Sequence, residues 1–178
     1  MFVYLLCILC GGLVKIADDI ADDRRLSRHS FYGYLASTGY GLVGAILLTQ
    51  SPVLATCVLA VVVAVMLAGK EDHPIHYAGT LTFVLASIAL GLKMPYFLPL
   101  AALVIAAYLD ELLSDRASVG QIKGKTLRKL LSYRIVLDVT AILVSLFLSE
   151  PAYAFAVVGF DAGYQLVGWL DSKFAKPL

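Results

Sequence analysis

Two groups of carboxylates stand out in a chain that otherwise carries little charge. Asp18, Asp19, Asp22 and Asp23 form the first, and Asp110, Glu111 and Asp115 the second. On a helix, Asp18 and Asp22 share a face, and Asp19 shares one with Asp22 and Asp23. Carboxylates this close repel one another, and at the end of a helix they also meet the negative end of its dipole. A divalent cation relieves both costs. Mg2+ suits the donors best: it is hard, it seeks oxygen, and it bridges carboxylates to phosphate oxygens. Asp18, Asp19, Asp22, Glu111 and Asp115 are therefore the candidate catalytic acids, and with Asp110 they make the candidate metal set. Basic residues crowd the same segments: Arg24, Arg25 and Arg28 after the first cluster, Lys70, then Arg116, Lys123 and Lys125 after the second, with Arg128 and Lys129 beyond. Cations beside a carboxylate-held metal are the groups that grip a diphosphate. A plainer reading uses the same residues. Lys15, Arg24, Arg25 and Arg28 would neutralise the first cluster and Arg116 the second, with basic residues facing anionic lipid head groups.

Asp138 and Asp161 are a different kind of acid, each placed inside an apolar run. They lie almost equally far from the turn at Glu150, so antiparallel helices rising about 1.5 Å per residue would bring them to one depth. Acids within a membrane are costly and usually functional. They suggest a shared proton, a bound cation, or a hydrogen-bonded pair with Lys15 or Tyr164. His73 and His76 form a His-x-x-His with Glu71 and Asp72 nearby, a weak transition-metal pattern interrupted by Pro74. Cys7, Cys10 and Cys57 sit in apolar runs and read as packed thiols. Gly33, Gly39, Gly41 and Gly44 fit close helix packing. Tyr32, Tyr34 and Tyr40 fit an interfacial aromatic belt. No P-loop, nucleophile elbow or zinc spacing is present, and nothing points to nucleic acid.

The elements that must hold these residues are apolar helices. The chain has 178 residues, 60% hydrophobic and 15% charged, with a mean hydropathy of +0.85. A soluble domain carries about a quarter charged residues. Backbone facing lipid must bond internally, and the alternation of a membrane barrel is absent, so the expected fold is an all-α integral membrane protein. About seven transmembrane helices are predicted, over 2–20, 35–50, 52–69, 79–93, 96–113, 134–149 and 151–171. The first lacks a preceding basic residue and a convincing cleavage site, and reads as a retained helix rather than a signal peptide. Turns at Pro52, Pro95 and Pro151 alternate with longer charged connections. Of the 14 Lys and Arg, only Lys93 falls on the proline-turn side. The positive-inside rule then puts the long loops and the C-terminus in the cytoplasm and the N-terminus outside. The stretch Ala17–Arg24 echoes Leu109–Arg116, and Pro52 to Asp72 spans as many residues as Pro151 to Asp171. The chain thus reads as one transmembrane domain over 1–178: a first three-helix unit at about 1–72, a linker helix at about 79–93, and a second unit at about 96–171. Parallel repeats imply a pseudo-twofold axis along the membrane normal, with a site between the halves.

Two Asp-rich motifs at the charged ends of helices four apart resemble those of the UbiA superfamily of intramembrane prenyltransferases. Asp18-Asp19-Ile20-Ala21-Asp22 matches that family's first motif, N/D-D-x-x-D. Tyr108-x-x-Glu111-x-x-x-Asp115-Arg116 approximates the second, D-x-x-D-x-x-x-D, with Tyr108 in place of its first acid. Gly120 and Thr126-Leu127 resemble the loop that follows. Lys70 is similar to a family lysine, with Met66 where a tyrosine often stands. The family typically has nine helices, so the resemblance implies a shortened or divergent member. It further implies Mg2+ held by both motifs, a prenyl diphosphate bound to it, and transfer of the prenyl group to an acceptor in a cytoplasm-facing intramembrane cavity. Two other functions fit the residues: a small cation- or proton-coupled carrier using Asp138 and Asp161, or a non-catalytic membrane subunit. The partners expected are the bilayer, a prenyl diphosphate or lipid substrate, and possible further protomers or subunits.

Overall fold

The computed structural model describes residues 2–22, 30–70, 73–131 and 133–174. Those residues form eight helices and no strand: α1 (Phe2–Asp22), α2 (Phe31–Gln50), α3 (Pro52–Leu67), α4 (Pro74–Leu90), α5 (Phe97–Ser118), α6 (Lys125–Leu131), α7 (Ile135–Leu148) and α8 (Ala152–Phe174). Local chemistry sets several of the boundaries. Ser51 accepts a 3.2 Å bond from the Leu54 N–H, and Pro52 supplies the first helical position of α3, where its missing N–H costs nothing. His73 and Pro74 begin α4 in the same way, His73 Nδ1 accepting from the Ile75 N–H at 3.3 Å.

Most boundaries differ from the sequence reading by a few residues, α2 starting at Phe31 rather than 35, and three differences bear on the site. The fourth helix starts at Pro74, not 79, because the His73 cap and Pro74 act together as a start signal. The fifth runs to Ser118, not 113. The apolar run gives way to charge after Leu109, but Glu, Leu, Ala and Arg remain good helix formers, so Asp115 sits on the same helix as Asp110 and Glu111 rather than beyond it. Part of the stretch taken as a loop, 114–133, forms the short helix α6.

Six helices close a ring. Contacts run α1–α2–α3–α5–α7–α8 and back to α1, with α4 packed chiefly on α2 and α6 touching α5 and α7. The pairing is unchanged when α1, α2 and α3 are exchanged for α5, α7 and α8. The α1–α8 crossing is tight. A Cβ on Gly11 would strike the Phe160 carbonyl oxygen, and one on Gly163 would strike that of Ile8. Glycine here lets two backbones approach. The largest buried cluster joins Cys7, Leu47, Leu54, Cys57, Leu103, Tyr153 and Val157 from five helices of the ring.

Large apolar side chains face outward while two acids are buried. Phe147 is 85% exposed and Leu98 80%, while Asp110 is 1% exposed and Glu111 5%. α2 is by itself long and apolar enough to cross a membrane, as is α5 over Phe97–Ala117; α6 and α7 add a third span if taken as one broken helix. α3 and α4 are apolar but shorter.

Candidate functional site: a cavity with a charged mouth and an apolar floor

The ring and α4 together border an open cavity of about 660 Å³. Its floor is apolar: Cys7, Cys10, Leu47, Leu54, Cys57, Phe83 and Val157, with Val58, Val61, Val62 and Val65 along one face of α3. Its mouth is charged. Asp18 and Asp22 reach it from α1, and Glu111 and Asp115 from α5. Lys15, Lys70, His76 and Arg134 line the same mouth, together with Tyr164. Members of both acidic clusters therefore face one space, although they come from different helices and lie far apart in sequence.

Hydrogen bonds link the two sides. Arg134 Nη2 lies 3.0 and 3.2 Å from the two carboxylate oxygens of Glu111. Its guanidinium stacks 4.9 Å from the centre of the Tyr164 ring. The Tyr164 hydroxyl donates to Asp18 at 2.8 Å, and Asp18 lies 3.7 Å from His76 Nε2. Glu111, Arg134, Tyr164, Asp18 and His76 thus form one chain of contacts across α5, α7, α8, α1 and α4. Lys70 bridges α3 to Asp115 at 2.5 Å. Lys15 and Asp19, 2.6 Å apart on consecutive turns of α1, pair an acid with a neighbour on its own helix. Arg134 precedes α7 with φ 53, a left-handed backbone that costs a non-glycine residue about 1–3 kcal/mol and tends to persist where function requires it.

Other expected residues fall elsewhere. Asp110 turns away from the mouth; its two oxygens accept from the Val136 and Leu137 N–H groups at 3.0 and 2.6 Å. It caps α7 from another helix, an anchoring role rather than a metal ligand's. Asp19 does not line the cavity but holds Lys15, which does. Arg116, Lys123 and Lys125 are exposed and outside the lining. Arg24, Arg25 and Arg28 lie outside the described residues, as do Asp23, Glu71 and Asp72. The two histidines divide their work, His73 capping α4 and His76 facing Asp18. Among the described residues no three acidic, histidine or cysteine side chains cluster closely enough to hold a metal unaided. Asp138 and Asp161 sit on α7 and α8 within electrostatic reach of each other. Asp161 borders a second cavity of about 20 Å³ behind Arg134 and Glu111.

Sequence reading passed over Arg134 as a site residue. The available signal was its position, the last cation before the apolar run of α7. Tyr164, a candidate partner for the Asp138 and Asp161 pair from sequence, gives its hydroxyl to Asp18 instead. No protein-family model matches the chain, and no curated protein or solved structure matches it significantly either.

Proposed function

We propose that this chain is a membrane-embedded enzyme that binds a prenyl or related lipid diphosphate with Mg2+ and transfers its prenyl group, in the manner of a shortened UbiA-like protein. The observation that carries the reading is the convergence of Asp18 and Asp22 with Glu111 and Asp115 at the mouth of one cavity whose floor is apolar. A charged mouth over an apolar floor is complementary to an anionic head on a hydrocarbon tail. The exposed apolar surface and buried acids support insertion in lipid. The charge bias of the loops supports a cytoplasmic mouth and C-terminus. The exchange symmetry of the ring supports two repeated units related by an axis through the cavity.

The donors fit Mg2+. They are carboxylate oxygens, and Mg2+ is ordinarily held by one or two carboxylates plus substrate phosphates and water, not by a closed protein cage. Asp18, Asp22, Glu111 and Asp115 would hold it. When bound, the metal neutralises charge on the leaving diphosphate. Lys15, Lys70 and Arg134 would hold phosphate oxygens by charge-assisted bonds, with His76 beside them as a hydrogen-bonding partner. Four carboxylates against three permanent cations leave this mouth near neutral, so a metal–diphosphate pair suits it better than either ion alone. The apolar floor keeps the tail, and the carbon that loses the diphosphate, away from water.

Titration of farnesyl diphosphate into the detergent-solubilised protein tests the reading. Binding is expected to require Mg2+ and to weaken at least tenfold in Asp18→Ala and in Asp115→Ala. Binding of equal strength in both variants, or no binding by the wild type, rules the reading out.

A further inference from the structure

The second cavity gives the intramembrane acid Asp161 a role that the main site does not use. It lies where α3, α5, α7 and α8 meet, and it is lined by Asp110, Glu111, Arg134 and Asp161 among apolar side chains. Glu111 and Arg134 border the large cavity as well, as do Val61, Val65, Val157 and Phe160, so the ion pair is the polar part of the wall between the two spaces. At about 20 Å³, the small cavity exceeds the roughly 10–15 Å³ that a single water needs and falls short of room for two. A buried water also needs two to four polar partners, and this lining supplies them. The oxygens of Asp110 already accept from the α7 backbone, and those of Glu111 face Arg134 Nη2. Asp161 takes a hydrogen bond from Gln165 on its own helix, but a carboxylate accepts several, so it and the guanidinium can serve as acceptor and donor to the water.

We propose that Asp161 is a positioning residue, holding the Arg134 guanidinium at the cavity mouth through one buried water that accepts from Arg134 and donates to Asp161. The inference rests on the diphosphate reading above for its functional consequence, and on the small cavity alone for its geometry. Three restraints then converge on Arg134: Glu111 on one side, the Tyr164 ring on another, and the bridged carboxylate behind. The left-handed backbone at Arg134 sets the direction of approach. A flexible, strongly hydrated cation becomes a fixed donor, which is what recognition of a planar or tetrahedral anion requires. An acid on an apolar helix, otherwise a cost, is thereby matched to the one cation that lines its cavity among the described residues.

Two measurements decide it. The first uses inorganic pyrophosphate with Mg2+ as the probe, titrated into detergent-solubilised protein. Asp161→Asn keeps size and removes charge. It is expected to weaken pyrophosphate about tenfold with the thermal midpoint within a degree or two of wild type. In an Arg134→Lys background, where the planar donor is already lost, the same change should cost less than twofold. A loss under twofold in the wild-type background, or an equal loss in both backgrounds, overturns the proposal. The second is an experimental map at a resolution that shows ordered water. One peak within hydrogen-bond distance of both Asp161 and Arg134 is expected, and a dry cavity overturns the proposal whatever the binding data show. Wild-type protein that fails to bind pyrophosphate sinks the diphosphate reading instead; the water peak then decides the positioning claim by itself.

Discussion

Asp110 and Asp115 stand on one helix and do opposite kinds of work, and magnitudes separate them. Asp110 is buried and satisfies two N–H groups of α7 that would otherwise be orphaned. Leaving a buried donor unsatisfied costs about 1–3 kcal/mol. Asp115 is 56% exposed in its pair with Lys70, and exposed ion pairs contribute about 0–1 kcal/mol. Asp110→Ala is therefore expected to lower the unfolding midpoint in detergent clearly, by a stability loss of about 1–3 kcal/mol, whereas Asp115→Ala should barely move it and should act on ligand binding. Equal midpoints for the two variants would refute this division. The sequence marked both residues as acids of one cluster and could not divide them. A cap given by α5 to α7 is a contact across the fold, with no local signature of the kind a capping box leaves. Asp18 was legible from its spacing, and Arg134 was hidden because nothing nearby in sequence reveals that it reaches Glu111.

At the scale of elements, the seven long helices were legible because apolar runs punctuated by proline are a strong local signal. Their charged ends were less so. Hydropathy ends where Asp110 begins, but helix propensity does not, so α5 carries its acids on two further turns that aim Glu111 and Asp115 into the mouth. α4 begins early because His73 caps it and Pro74 opens it, which brings His76 onto helix and within reach of Asp18. Packing of α1 on α8 depends on Gly11 and Gly163, whose missing side chains let the backbones meet. Forcing extra carbons into such a contact typically costs about 1–3 kcal/mol and often more. Gly163→Val is expected to destabilise the protein by at least that much and to weaken ligand binding, because α1 carries Asp18 and α8 carries Tyr164. Gly69→Ala is the control for a merely local backbone effect: it has φ +69 and nothing within 4 Å of an added Cβ. Comparing the two by thermal unfolding and farnesyl diphosphate titration checks the point. Equal binding by Gly163→Val and wild type would detach the α1–α8 crossing from the site.

On the scale of the whole molecule, the ring places α1 and α5 on opposite sides of a shared space, and this is what turns two separate acidic motifs into one mouth. The sequence echo between Ala17–Arg24 and Leu109–Arg116 falls on the charged ends of these two helices. What it could not supply was the cavity itself. Whether six helices close around space or around packed side chains depends on residue volumes at many distant positions, here the run of valines on α3 and the glycines that draw α1 onto α8. The same geometry yields a balance of charge at the mouth and an apolar floor, the two features that join head and tail of one ligand.

An experimental structure of the protein with Mg2+ and a non-hydrolysable farnesyl thiodiphosphate bears on this convergence most directly. The expected map has a divalent ion and the diphosphate between α1 and α5, with Asp18 or Asp22 from one side and Glu111 or Asp115 from the other, and with the hydrocarbon running down toward Cys7, Cys57 and Leu54. A ligand held by one acidic cluster alone, or seated outside the ring with the mouth still closed by its ion pairs, would show that the two motifs do not make a common site.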